Sequence, residues 1–208
     1  MAYPSVTAPY GLVPINRFDG MPYAGATQQL PIASTYNVPI FNGDLVYVTN
    51  GTIAKSVVTS NVSTAANTAT YGVFMGVQYV NSQGQTVQAQ YYPGNSAASS
   101  AIAYVVVDPV AEFKTAVTFS GNATVTTVNQ SVVGVNMAVR QGTGSTTTGD
   151  STISAVVPTT TTGNAATLPL RAVAIVPETA TNLTAFTEVI VKLNNPQILS
   201  TTGNDYTA

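Results

Sequence analysis

Tyr71-Gly72-Val73-Phe74-Met75-Gly76-Val77-Gln78-Tyr79-Val80 is the stretch from which the fold is read. Valine and aromatic side chains fit a pleated surface, and a short apolar run of this kind, bounded by turn residues, reads as a core strand. Its two glycines mark a bulge or a close approach of another backbone. Downstream, Asn81 to Gln85 forms a turn, and Thr86 to Tyr92 sets Val87, Ala89 and Tyr91 against Gln88 and Gln90. That period of two predicts a half-buried strand. Upstream, Leu45-Val46-Tyr47-Val48-Thr49 and Thr52 to Val58 flank Asn50-Gly51, the favoured pair for a two-residue type I′ hairpin.

Working outward, the pattern repeats. Ile32 to Tyr36 and Val38 to Phe41 read as short extended segments before a turn at Asn42-Gly43-Asp44. Ser60 to Thr70 is small and polar, a loop, and Ile102 to Val107 is a buried strand. Asp108-Pro109 predicts one helical turn, with Asp108 as cap and Pro109 at the first helical position. Strand character returns from Phe113 to Phe119, and Gly121-Asn122 is a turn. Over 123–141 polar residues alternate with Val125, Val128, Val132, Val133 and Val135. Gly142 to Asp150 reads as an exposed loop and Thr159 to Gly163 as a polar tip. Ile153 to Val157, Leu168 to Val176 and Thr187 to Leu193 are the last strands. About ten short strands, with turns every 8–12 residues or so, predict an all-β fold, a β-sandwich or barrel of antiparallel strands. Leu, Glu, Lys and Arg are scarce, so helix is a minor component.

Residues 1–31 form an extended N-terminal arm, 32–195 the β-rich body and 196–208 a polar C-terminal tail. Pro4, Pro9, Pro14, Pro22 and Pro31 keep the arm out of helix. Tyr3, Tyr10, Leu12, Val13, Ile15, Phe18, Met21 and Tyr23 make it too apolar for a solvated linker. Such an arm either covers its own domain or lies on a neighbour, and the second use is favoured. Tyr10, Leu12, Val13, Ile15, Arg17, Phe18, Met21 and Tyr23 are therefore the candidate subunit-interface residues.

Composition narrows the function. His, Cys and Trp are absent from all 208 residues. Without His, the usual general base near neutral pH is missing, and so is the usual activator of a nucleophilic Ser. Structural zinc sites, disulfides and thiol chemistry have no ligands or thiols to use. No catalytic, cofactor-binding or metal residue is assigned, and no enzyme is expected. Charged residues are 7% of the chain, against about 25% in ordinary domains. The basic residues Arg17, Lys55, Lys114, Arg140, Arg171 and Lys192 are scattered in sequence, which argues against nucleic-acid binding. No segment reaches the roughly 20 apolar residues of a membrane helix, and the N-terminus lacks a signal-peptide pattern. An exterior built from Asn, Gln, Ser and Thr suits a surface covered by partners; adaptation to a salty habitat is the alternative.

Asp108 and Glu112 are a close acidic pair, better read as a cap and an exposed neighbour than as acid–base machinery. Arg17 and Asp19 form either an anchor on a partner or an ordinary surface pair. Arg171 in its strand either crosses to a neighbouring strand or subunit or snorkels on the outer face. Tyr91-Tyr92 and Tyr10 are candidates for stacking on sugars, though packing is preferred because Trp is absent. The five Asn-x-Ser/Thr sequons, at Asn50, Asn61, Asn122, Asn129 and Asn182, are attributed to chance in an Asn- and Thr-rich chain.

A resemblance follows from ordered segments. Tyr10-Gly11-Leu12-Val13-Pro14-Ile15, then Gly20-Met21-Pro22-Tyr23-Ala24-Gly25-Ala26, resembles the opening of a group of tailed-phage structural proteins, with a Gly-Leu-x-Pro element and then a Pro-Tyr-x-Gly element. The likeness continues through Ile40-Phe41-Asn42-Gly43-Asp44-Leu45-Val46, Gly72-Val73-Phe74-Met75-Gly76-Val77, Tyr104-Val105-Val106-Val107-Asp108-Pro109 and Phe113. It ends with Leu168-Pro169-Leu170-Arg171 and Val189-Ile190-Val191-Lys192-Leu193-Asn194, so it spans nearly the whole chain. The group is that of capsid decoration, or cement, proteins encoded near the major capsid protein. The resemblance implies a β-rich virion structural protein, synthesised in the host cytoplasm and bound to the capsid exterior. It also implies the major capsid protein as partner, a homo-oligomer with a trimer favoured, and no cofactor. This chain is poorer in charge than the group. The alternatives are a carbohydrate-binding or adhesive module of a fibre, and a tail or neck component.

Overall fold

The computed structural model describes residues 6–56, 70–94, 98–119, 128–156, 166, 168–180, 186–194 and 196–199. Thirteen strands run through them: β1 (Val13–Arg17), β2 (Gln28–Pro31), β3 (Leu45–Thr49), β4 (Thr52–Lys55), β5 (Gly72–Asn81), β6 (Thr86–Ala89), β7 (Ala98–Val106), β8 (Ala111–Thr118), β9 (Asn136–Met137), β10 (Val139–Arg140), β11 (Ser154–Val156), β12 (Leu170–Ile175) and β13 (Glu188–Leu193). They make two sheets, so the fold is all-β as the turn spacing predicts. The first sheet has seven strands in the order β10-β11-β8-β13-β12-β9, with β1 also on β8. The second has six, in the order β2-β7-β5-β3-β4, with β6 also on β5. Every pairing is antiparallel except β11 with β8. A parallel bridge from Ile32 to Ile53 brings the chain after β2 against β4, which nearly closes the second sheet into a barrel.

The deciding stretch is β5, buried on both faces at its start. Val73 joins a core between the sheets with Leu12, Leu45, Val106, Phe113, Met137, Leu170 and Val191. Phe74 joins a second core inside the curled sheet with Ile40, Val46, Ile53, Tyr92 and Val105. Successive side chains of a strand point to opposite faces, so Leu45 and Val46, Val73 and Phe74, and Val105 and Val106 divide between the two cores. Both glycine readings hold. The register of β5 on β7 shifts between Phe74 and Gly76, and a Cβ at Gly72 would lie 2.3 Å from the Val106 carbonyl oxygen. Asn50 (φ 47°) and Gly51 (φ 74°) make the expected left-handed turn between β3 and β4.

Several expectations are corrected. Asp108-Pro109 opens no helix. Val106 and Ala111 leave room only for a turn between the sheets, in which Val110 N–H donates to Asp108 Oδ1 (3.0 Å) and Ala111 N–H to Asp108 O (3.1 Å). Strand β8 accordingly begins before Phe113. A one-turn helix, α1 (Pro177–Ala180), follows β12 instead. The arm covers its own domain: β1 pairs with β8 and β2 with β7. The loop at 142–150 is exposed at Thr143 and at Thr146 to Thr148, but it turns inward at its glycines. A Cβ at Gly144 would strike the Phe41 ring, and Gly149 is buried against Gln90. Gln197, in the expected tail, bonds the backbone of Val48 through both ends of its amide (2.8 and 3.2 Å). Most of the loop at Ser60 to Thr70, the turn at Gly121-Asn122, the first part of 123–141 and the tip at Thr159 to Gly163 lie outside the described residues.

Candidate interaction surface

Charge is scarce in this chain, so its placement is informative. Asp44 and Lys55 bracket the β3–β4 hairpin and meet inside it. Asp44 is fully buried, with Lys55 Nζ 2.7 Å from Oδ2. It also accepts from Phe41 N–H (2.9 Å), from the Ser151 hydroxyl and from Gln141 Nε2 (3.3 Å). Lys55 sits 5.4 Å over the Phe41 ring, which stacks on Tyr91. A buried ion is tolerated only when paired and hydrogen-bonded, and this one is. With its donors drawn from β4 and from the segments around β10 and β11, the carboxylate ties the two sheets together and has no side open to a ligand.

Several of the other charges gather where the sequence had them scattered. Glu112 and Lys114 alternate with buried Ala111, Phe113 and Thr115 along β8, and Ile190 and Lys192 alternate with buried Val189, Val191 and Leu193 along β13. The register joins them into rows on the outer face of the first sheet. One row runs Asn136, Arg171, Lys192, Glu112, Asn16 across β9, β12, β13, β8 and β1. The next runs Ala174, Ile190, Lys114, Val13. Glu188 is in phase with Ile190 and Lys192. It is buried, with Lys114 Nζ 3.2 Å from Oε1 and the Tyr10 hydroxyl donating to the same oxygen. Burial first, then the hydrogen bond and the charge of Glu188, push the Tyr10 phenol well above its ordinary pKa.

The candidate arm residues divide between this face and the interior. Leu12 is fully buried in the core between the sheets. That corrects its assignment as an interface residue, because its surface is already consumed by the body. Tyr10 is half-buried on Glu188, and Ile15 is half-buried at the irregularity in the β1 register. Tyr23 packs against the core, its hydroxyl bonding Ala26 O; burial, then the Asp108 charge, raises its pKa. Val13, Phe18 and Met21 remain open, with exposures of 41%, 63% and 57%. Phe18 and Met21 stand at the tip of a small hairpin after β1, closed by Arg17 N–H to Met21 O (2.9 Å) and a bridge from Asn16 to Pro22. Arg17 braces that hairpin: Nη2 lies 3.2 Å from Asp19 Oδ2 and Nε 3.0 Å from Asp108 Oδ2. The latter is an ionic contact without hydrogen-bond alignment. Lys192 Nζ lies 5.3 Å over the Phe18 ring, which sets the hairpin tip beside the charged rows.

Arg171 is exposed on the outer face, its Nε donating to Asn136 Oδ1 across to β9 (2.9 Å), so it crosses to a neighbouring strand. Tyr92 is buried and Tyr91 is stacked on Phe41, which leaves no paired platform for a sugar. The described residues form shallow grooves. One of about 320 Å3 is lined by Met75 to Val77, Gln88 to Gln90 and Tyr104, and one of about 400 Å3 by Ala26 to Gln28, Val107 and Asp108. Neither brings together two carboxylates. Among the described residues no group of three or more carboxylates forms a metal cluster, and no helix is long and apolar enough to cross a membrane. The sequence reading took Glu112 as an exposed neighbour of Asp108 and did not place it, Lys114 or Lys192 on a common face. The signal for them was their spacing of two along β8 and β13. No protein-family model, curated protein or solved structure matches the chain.

Proposed function

We propose that the chain is a tailed-phage capsid decoration protein: a virion structural subunit that sits on the outside of the shell and bridges major capsid protein subunits. The observation that carries this reading is the exposed Phe18–Met21 hairpin, braced by Arg17 and lying on the one face where charged side chains collect. Large exposed apolar residues rimmed by polar ones are the usual mark of a contact surface, and aromatic and Met side chains are enriched at interface cores. The uncharged remainder of the composition supports a protein that works by contact, and the ordered resemblance supplies the kind of partner. Many copies on one shell would add weak individual contacts by avidity.

Deleting residues 2–28 is a poor test, because it would remove Leu12 from the core and β1 from β8. The sharper one is Phe18→Ser with Met21→Ser. Occupancy on phage shells should fall strongly while thermal unfolding stays close to wild type. Undiminished occupancy would defeat the contact assigned to this hairpin. Cryo-microscopy of the decorated particle would give location, copy number and symmetry, and with them head against tail or neck.

A further inference from the structure

We infer that Arg171 and Lys192 form a receptor for a carboxylate of the protein partner. This rests on the shell-binding reading above and names the chemistry of the same face. The two cations are Cα partners on β12 and β13. Like charges directly opposite one another destabilise a sheet, and here they meet in a chain with only six basic residues. The chain neutralises its other paired cations with its own acids: Arg17 with Asp19 and Asp108, Lys55 with Asp44, Lys114 with Glu188. Arg140 is half-buried, its Nε away from water.

Arg171 and Lys192 are treated differently. Among the described residues neither joins an ion pair, and each is oriented by a neutral group. The Asn136 amide oxygen accepts from Arg171 Nε at 2.9 Å, and the Phe18 ring lies 5.3 Å from Lys192 Nζ. Both contacts fix direction and leave the positive charge uncompensated. Glu112 stands across from Lys192 on β8 but forms no ion pair there. The terminal guanidinium nitrogens of Arg171 stay available for the end-on grip that suits a carboxylate. Two cations flanked by Glu112 and an apolar hairpin suit an acidic side chain set in a protein surface. They do not suit a polyphosphate backbone, which needs a longer basic track.

Two measurements test this on the intact decorated particle. Zero-length carbodiimide coupling followed by peptide mass spectrometry should join Lys192 to an Asp or Glu of the partner. Lys192 joined only to Glu112 of its own chain, or left uncoupled, overturns the inference. Arg171→Glu with Lys192→Glu should lower occupancy at least about tenfold and remove its salt dependence, while Arg171→Lys with Lys192→Arg retains most of it. If Phe18→Ser strips the protein from shells and the double reversal does not, the carboxylate site is wrong and the shell reading stands. If the wild-type protein never occupies shells, both fail. Retention of a single-stranded oligonucleotide that the double reversal abolishes would make phosphate the ligand and overturn the inference as well.

Discussion

Two pairs of charges in this molecule lead opposite lives. Asp44 and Lys55 are sealed inside the β3–β4 hairpin, with every contact drawn from their own chain. Arg171 and Lys192 stand side by side on the outer face of the first sheet, held by an amide and an aromatic ring, in no ion pair among the described residues. The first pair is complete and serves the architecture. The second is incomplete within one chain. The difference shows how a protein with few charges separates charge that holds its sheets together from charge that meets something else.

The contrast can be broken most forcefully at Asp44. Asp44→Ala leaves Lys55 buried without a counter-ion, and a loss of about 3–5 kcal/mol is expected in chemical denaturation. Removing both charges while keeping an acceptor for Phe41 N–H, as Asp44→Asn with Lys55→Met, should cost less than Asp44→Ala alone. Leu12→Ala comes next, at about 2–5 kcal/mol for a fully buried leucine between the sheets. A small cost there would mean that the arm is only loosely laid on the body. Tyr10→Phe removes a hydrogen bond to a charged group, worth about 1.5–3 kcal/mol.

Tyr10→Phe should also alter the alkaline limb of stability. Folding raises the Tyr10 pKa, so its contribution is fully present below the unfolded value near about 10 and is lost as pH climbs above it. Wild-type stability should therefore fall above that pH and Tyr10→Phe should fall less steeply. Tyr23, Tyr36 and Tyr92, also raised by burial, keep part of the slope. The smallest effect belongs to the pair on the outer face. Lys192→Ala should move stability by no more than about 0.5 kcal/mol, and Arg171→Ala should cost no more than about 1 kcal/mol, because loss of the guanidinium bond to the buried Asn136 amide oxygen is offset by relief of a like-charge neighbour. A loss above about 1 kcal/mol for either would show that these cations serve the fold after all.

The strands were legible wherever local chemistry dictated them. Gly72 and Gly76 announced a close approach and a register shift, and Asn50-Gly51 announced the β3–β4 turn. Counting back from that turn puts Lys55 opposite Val46, two residues from Asp44, so even the buried pair left a trace. Asp108-Pro109 misled because the same capping chemistry serves a helix start and a tight turn, and only the distance between strands in different sheets decides between them. Glycines at 142–149 read as loop, yet Gly144 is small because the Phe41 ring lies against it. The outer-face rows were half legible. The alternation placed Glu112 with Lys114, but which strand lies beside β8 is a long-range fact that no local pattern carries.

Leu45 and Val46, Val73 and Phe74, and Val105 and Val106 each split between two apolar clusters. That division ties the fate of one cluster to the other. None of β3, β5 and β7 can leave the space between the sheets without also emptying the curled sheet, so the two clusters share these three strands. Heat should find a single cooperative unit across the described body, and a one-residue insertion within β5 would exchange the occupants of both clusters at once.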